Sequence, residues 1–353
     1  EPFDAECRPR ENRRRMNMKA CKESVVQVKG VRSLCWDGET LVDWVSGGNR
    51  YELDGSICRR RVNYAFDFDA SIVSPSGEYA VIYTDCGTTA LLLRQGKILR
   101  QLSRDFYYAN AYQYPITFAR LPDGREVLIH CPESYCRLEI EEIETGDRIT
   151  GTLERDGPDV FHSRLSVSPG GRWLMSAGWV WHPVDVVYVY DLAEAIREPA
   201  TLDKEGLSPP GAWEMSSASF SGPDAVVIGT SDEFYGDEDD SDDLRPGKNV
   251  IGMWEIGAAS YSAAVSLEHP PGAIMALDDR FAICFFGHPR LIDFDQARTV
   301  HEWHEIDSGE QARSITWGKE SPRIALDPQN ARFAVADDEC VRIVEIDLNA
   351  LRS

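Results

Sequence analysis

The sequence predicts an all-β protein assembled from repeated small sheets. Three observations carry that reading. An alternating apolar strand, a tight turn and a second alternating strand recur at intervals of roughly 40 to 56 residues. Several of those turns carry Pro and Gly, which suits them: Pro presets φ and Gly accepts a positive φ. Each pair is followed, after a gap, by a third strand.

The copies run in order along the chain. Residues 31–46 (VRSLCWDGETLVDWVS) form a first, diverged copy. Residues 71–83 (SIVSPSGEYAVIY), 116–130 (ITFARLPDGREVLIH) and 163–177 (SRLSVSPGGRWLMSA) carry the Pro-x-Gly turn outright. Residues 217–230, 273–286 and 323–337 are weaker copies. The third strands are RYELDG, TALLLRQGK, LEIEEIETGD, VVYVYDLAE, VIGMWEIGA, RLIDFDQAR and VRIVEIDLN. Period-2 alternation marks all of these as strands. Seven units of about four strands each make a seven-bladed β-propeller.

Four third strands end on acids, Asp191, Glu255, Asp295 and Asp347, after apolar or aromatic residues, and Gly287-His288 forms a Gly-His pair. In these features the chain resembles the WD40-like class of propellers from residue 24 to the C-terminus, at the level of architecture. No Trp-Asp pair stands at those strand ends, and the spacing exceeds the usual period of about 40–45 residues. The resemblance brings no catalytic residues with it.

The seventh copy stops at Asp347, too soon for a fourth strand, while SVVQVKG (residues 24–30) is a strand without a blade. The expectation is that residues 25–28 supply the outer strand of the last blade and close the ring, shielding edges that would otherwise stay open. Residues 24–353 then form a single propeller domain, and residues 1–23, with the run RPRENRRR, a basic arm or leader.

Composition excludes several classes of function. The net charge of −22 argues against nucleic acid, which needs clustered Lys and Arg, and against anionic membranes. It favours a basic partner if there is a charged one. There is no apolar run long enough to span a bilayer and no apolar segment behind the N-terminal Arg residues. The expectation is therefore a cytoplasmic protein, the alternative being a signal removed before this chain begins; a monomer is expected. Nine cysteines without a CxxC pair read as free thiols, while Cys131 and Cys136 in CPESYC are close enough for either a disulfide or a reduced pair.

In a propeller the links between strands two and three, and from blade to blade, open on one end. The insertions here fall almost entirely in those links. Blade four contributes Trp179, Trp181 and His182. The link into blade three holds Phe106, Tyr107, Tyr108, Tyr112 and Tyr114, and the sixth blade-to-blade link holds Trp303 and Trp317. Blade five contributes SDEFYGDEDDSDDLRPGKN (residues 231–249), with Phe234, Tyr235, Asp237, Glu238, Asp239, Asp240, Asp242 and Asp243. Exposed aromatics with a polar surround compose protein-binding surfaces. Trp179 and Trp181 read equally as binding anchors or as packing, and half of the Tyr-rich link reads as packing.

Catalytic and metal motifs are weak by comparison. The DEDDSDD run lacks the Gly and terminal Glu of a calcium loop. HEWHE (residues 301–305) is one residue short of a zincin motif and lies in no predicted helix, so His301 and His304 are not expected to bind metal. No GxSxG, phosphate loop or dinucleotide fingerprint accompanies the dispersed histidines. The expectation is a non-catalytic scaffold without cofactors that binds a basic protein with its aromatic and acidic end; a toxin-neutralising immunity protein is its sharper form. A metal-dependent hydrolase or lactonase with its site in the central channel is the alternative.

Overall fold

The computed structural model describes residues 20–60, 62–151, 155–211, 213–234, 247–319 and 321–353. Each sequence repeat supplies the two innermost strands of one antiparallel sheet. These are Cys35–Asp37 and Thr40–Asp43 in blade one, Ala70–Val73 and Tyr79–Tyr83 in blade two, and Ile116–Arg120 and Glu126–His130 in blade three. Blade four has Ser166–Val167 and Trp173–Val180, and blade five Trp213–Phe220 and Ala225–Phe234. Ile274–Ala276 with Phe281–Cys284, then Arg323–Asp327 with Arg332–Ala336, complete the series. A third strand joins each pair at the expected place.

The seven sheets close into a ring because each is apolar on both faces and buries each face against a neighbour. Seven hydrophobic cores result, one at every junction between adjacent blades. The junction between blades seven and one packs Val341 and Ile343 against Trp36, Leu41 and Tyr51. A buried Arg332 reinforces it, stacking 4.0 Å over Trp36 while its Nε donates to Asp327 and its Nη2 to the Gly38 carbonyl. The fold is the seven-bladed β-propeller that the repeats predict.

Ring closure also follows the expectation. Cys21–Gln27 pairs antiparallel with Cys340–Ile346 on the outer edge of blade seven, Val25 opposite Arg342 and Val26 opposite Val341. Val26 is buried, Val25 is exposed, and the adjoining Val28 is buried in the same core. Cys21 to Glu23 therefore belong to the closing strand, and residues 1–19 of the expected basic arm lie outside the described residues.

Two departures from the repeat have local causes. Blades three and four show three strands among the described residues; the fourth is reduced to isolated bridges, Glu141 with Arg148 and Val189 with Leu207. After blade four's third strand, Asp191 accepts a hydrogen bond from the Glu194 amide and caps the helix Leu192–Arg197. Leu192, Ala195 and Leu202 then fill the core between blades three and four, where a strand would otherwise lie. In blade six the strand ends at Asp293, not Asp295: Asp293 is buried and accepts from Arg280 and Gln296.

Candidate functional site

Side-chain contacts bring the long links together on one end of the ring. The link from blade two to blade three is organised by Arg104, whose planar guanidinium is buried among backbone carbonyls. Its Nε donates to Gly87 O at 2.7 Å, and its Nη2 to Ala109 O at 2.7 Å and Tyr112 O at 2.9 Å. Its Nη1 reaches Gln113 O at 3.2 Å, and the plane stacks on Tyr112 and Tyr114 at 4.5 and 4.9 Å. One side chain thus satisfies carbonyls that a long loop would otherwise leave unpaired.

Tyr112 and Tyr114 are buried by this arrangement, while Phe106, Tyr107 and Tyr108 stay exposed. Beneath Tyr107 and Tyr108 lies a stack from two separate links and the end of the strand Trp173–Val180. The Phe161 ring sits 3.7 Å from Trp179 and 4.1 Å from Tyr135, nearly parallel to both. The backbones of Phe161 and Trp179 bond to each other, and the approach is tight enough that a Cβ on Gly178 would stand 2.0 Å from the Phe161 carbonyl. Tyr107 packs 5.2 Å from Tyr135, and Tyr108 meets Trp181 edge-on at 5.1 Å and Trp317 at 6.4 Å.

The sequence-predicted residues therefore divide. Trp179 is 2% exposed and supports the platform from below, whereas Tyr107, Tyr108 and Trp181 are 37–38% exposed and Trp317 60%. His182 is exposed in the tight turn after Trp181, with φ at 99°. Phe234 ends its strand opposite Trp213, at the point where the acidic segment leaves blade five. Tyr235, Asp237, Glu238, Asp239, Asp240, Asp242 and Asp243 lie outside the described residues.

The link from blade six to blade seven, residues 303–322, crosses this end as a strap. Its Gly309 bridges Gly287 of blade six. Ser314 donates from its amide and hydroxyl to the Asp185 carboxylate of blade four, the amide at 3.0 Å. Ile315 bridges Tyr112, Thr316 and Trp317 donate to the Ala111 carbonyl, and Thr316 touches Cys86 of blade two. Arg313 bonds Glu233 and lies 3.8 Å from Glu214 and 3.9 Å from Asp232, at the root of the acidic segment. Burial pushes the Asp185 carboxyl up to about 6, against the opposing pull of Arg164 and the Ser314 hydrogen bonds.

Behind the strap lies the central channel, a cavity of about 750 Å³ lined by Arg32, Asp69, Asp85, Arg164, Ser217 and Arg323 among others. Burial, and then the neighbouring Asp69, push the Asp85 carboxyl up to about 6. Among the described residues no three His, Cys or carboxylate side chains converge in this channel as metal ligands. Cys131 and Cys136 are unbonded, and burial holds the Cys131 thiol far above its ordinary range. No described helix is long and apolar enough to cross a membrane.

Sequence reasoning passed over Arg104, Phe161 and Tyr135. Arg104 had a signal, a lone cation entering an aromatic-rich link. Phe161 stands before an inner strand and had none. No protein-family model matches this chain, and no curated protein is significantly similar to it.

Proposed function

We propose that this propeller is a non-catalytic binding module that holds a basic protein on its strap-bearing end. The observation that carries the reading is the group of exposed rings Tyr107, Tyr108 and Trp181, seated on the buried Phe161 and Trp179, with Trp317 against Tyr108 and Phe106 exposed in the same link as Tyr108. Large rings held rigidly lose little entropy on contact, and anchors of this kind dominate binding energy. Carboxylates surround them: Asp105 and Asp159 bond Tyr107 and Tyr135, and Asp232 and Glu233 stand beside Arg313. The acidic segment leaves blade five from that same end, and its charge would steer a basic partner, with an association rate that falls as salt rises.

The test is affinity capture followed by kinetics on the captured protein. Trp181→Ala should cost about 2 kcal/mol or more in affinity, mostly through faster dissociation. Neutralising Asp237, Glu238, Asp239, Asp240, Asp242 and Asp243 to Asn or Gln should slow association and flatten its salt dependence. A partner bound equally by wild type and both variants would overturn the reading. The finer proposal is neutralisation of a basic enzyme, as immunity proteins do; it requires that the partner be an enzyme and that the propeller inhibit it stoichiometrically.

A further inference from the structure

We infer that His288, Glu302 and His304 form a binding site for a single divalent transition-metal ion of the zinc class. The register of blade six assembles it. Arg290 pairs with Glu302 between Arg290–Asp293 and Arg298–Glu302, and the Trp303 amide donates to the Pro289 carbonyl. Continuing that pairing by one step puts His288 across from His304. Glu302 lies two residues before His304, so period-2 alternation turns both to one side. His301 and Trp303 turn to the other, where the His301 ring packs edge-on against the buried Trp303 at 4.5 Å.

The three donor atoms converge. His288 Nε2 is 2.9 Å and His304 Nε2 3.8 Å from the same Glu302 Oε2, with the imidazole centroids 4.4 Å apart. All ligand atoms lie within 4.8 Å of one another. Two ligands at about 2.0–2.1 Å from a tetrahedral zinc stand about 3.4 Å apart, so the two observed distances bracket what the ion requires. Two imidazoles and one carboxylate suit zinc, cobalt or nickel better than calcium or magnesium, which take oxygen. The chain's charge of −22 raises the local concentration of any cation.

The site would keep a fourth position open. Its ligands are partly exposed, His304 at 71% and His288 at 28% of the side chain, so water or a side chain of a second molecule can complete the shell. It also sits at the root of the strap, next to Gly287, which bonds both Ser308 and Gly309. An ion here would tie the strap to blade six.

Untagged full-length protein, stripped with chelator and titrated with Co²⁺, supplies the test, because cobalt in a tetrahedral nitrogen-bearing site absorbs strongly in the visible. The expected result is one saturable equivalent with that absorption, displaced by Zn²⁺, and a Zn²⁺-dependent rise in melting temperature. His288→Ala, Glu302→Gln and His304→Ala should each weaken binding by at least about tenfold. His301→Ala should leave it unchanged. Binding that persists in His288→Ala and His304→Ala, binding lost in His301→Ala, or only the weak spectrum of oxygen-ligated cobalt would each overturn the assignment.

Discussion

Val26→Ala tests ring closure at the level of register, with Val25→Ala as its partner. The two valines are neighbours in one strand, so both variants lose the same β-propensity. They differ in burial alone: Val26 is 0% exposed in the core between blades seven and one, and Val25 is 42% exposed. Removing two methyl groups at Val26 forfeits about 1.6 kcal/mol of transfer free energy, at about 0.8 kcal/mol each. The space left behind, roughly 50 Å³ at about 24 cal/mol per Å³, adds about 1 kcal/mol if the core does not collapse. The expected loss is therefore about 2.5 kcal/mol for Val26→Ala and a few tenths for Val25→Ala. With an unfolding entropy of about 2.1 cal/mol/K per residue over 353 residues, that corresponds to a melting temperature about 3 °C lower. Equilibrium urea denaturation followed by tryptophan fluorescence gives the difference directly. Equal losses for the two variants, or a larger loss for Val25→Ala, would refute the pairing of Val26 with Val341 and with it the closure of the ring by this strand.

Two further outcomes follow from buried charge. Arg104→Met should strand the Gly87, Ala109 and Tyr112 carbonyls and cost roughly 3 kcal/mol or more. Arg104→Lys should recover little of it, since one ammonium cannot reproduce the fork; full recovery of the denaturation midpoint in Arg104→Lys would count against this account of the link. The Asp185 carboxyl titrates at about 6 in the fold against an ordinary value of 3.8, so the folded state keeps its proton to higher pH than the unfolded chain. Stability from this group is fully present below about pH 4, falls as pH rises through 6, and is then lower by about 3 kcal/mol. Asp185→Asn should accordingly gain on wild type between pH 4 and 7 in paired denaturation curves; a difference that does not change with pH would remove the buried ionised carboxylate from the explanation.

The architecture was legible because it is written locally. Alternation and turn residues act over a few neighbours, so each copy, from residues 31–46 to 323–337, declared its own strand pair, and an unpartnered strand near residue 25 left only one edge to cover. The short helix after Asp191 was equally local, an Asp followed three residues later by Glu in a run of helix formers, and went unread because the repeat was taken to demand a strand there. The division of the candidate site was not legible. Trp179 near the end of the strand Trp173–Val180 and Trp181 in the turn after it stand two residues apart, yet one is sealed beneath Phe161 and the other faces solvent. HEWHE offered His301 and His304 as a pair, but strand alternation separates them and pairing across blade six brings His288 instead.

The sequence by itself thus determined the unit, the number of units and the end of the ring that would carry the insertions. The tertiary structure alone decided which side chains meet on that end. Ser314 binds Asp185 across 129 residues, and Tyr107, Tyr135, Phe161 and Trp181 come from separate links of three blades. A strand's periodicity follows from its own backbone, whereas a contact between links is set by the curvature of the whole closed ring, to which every blade junction contributes.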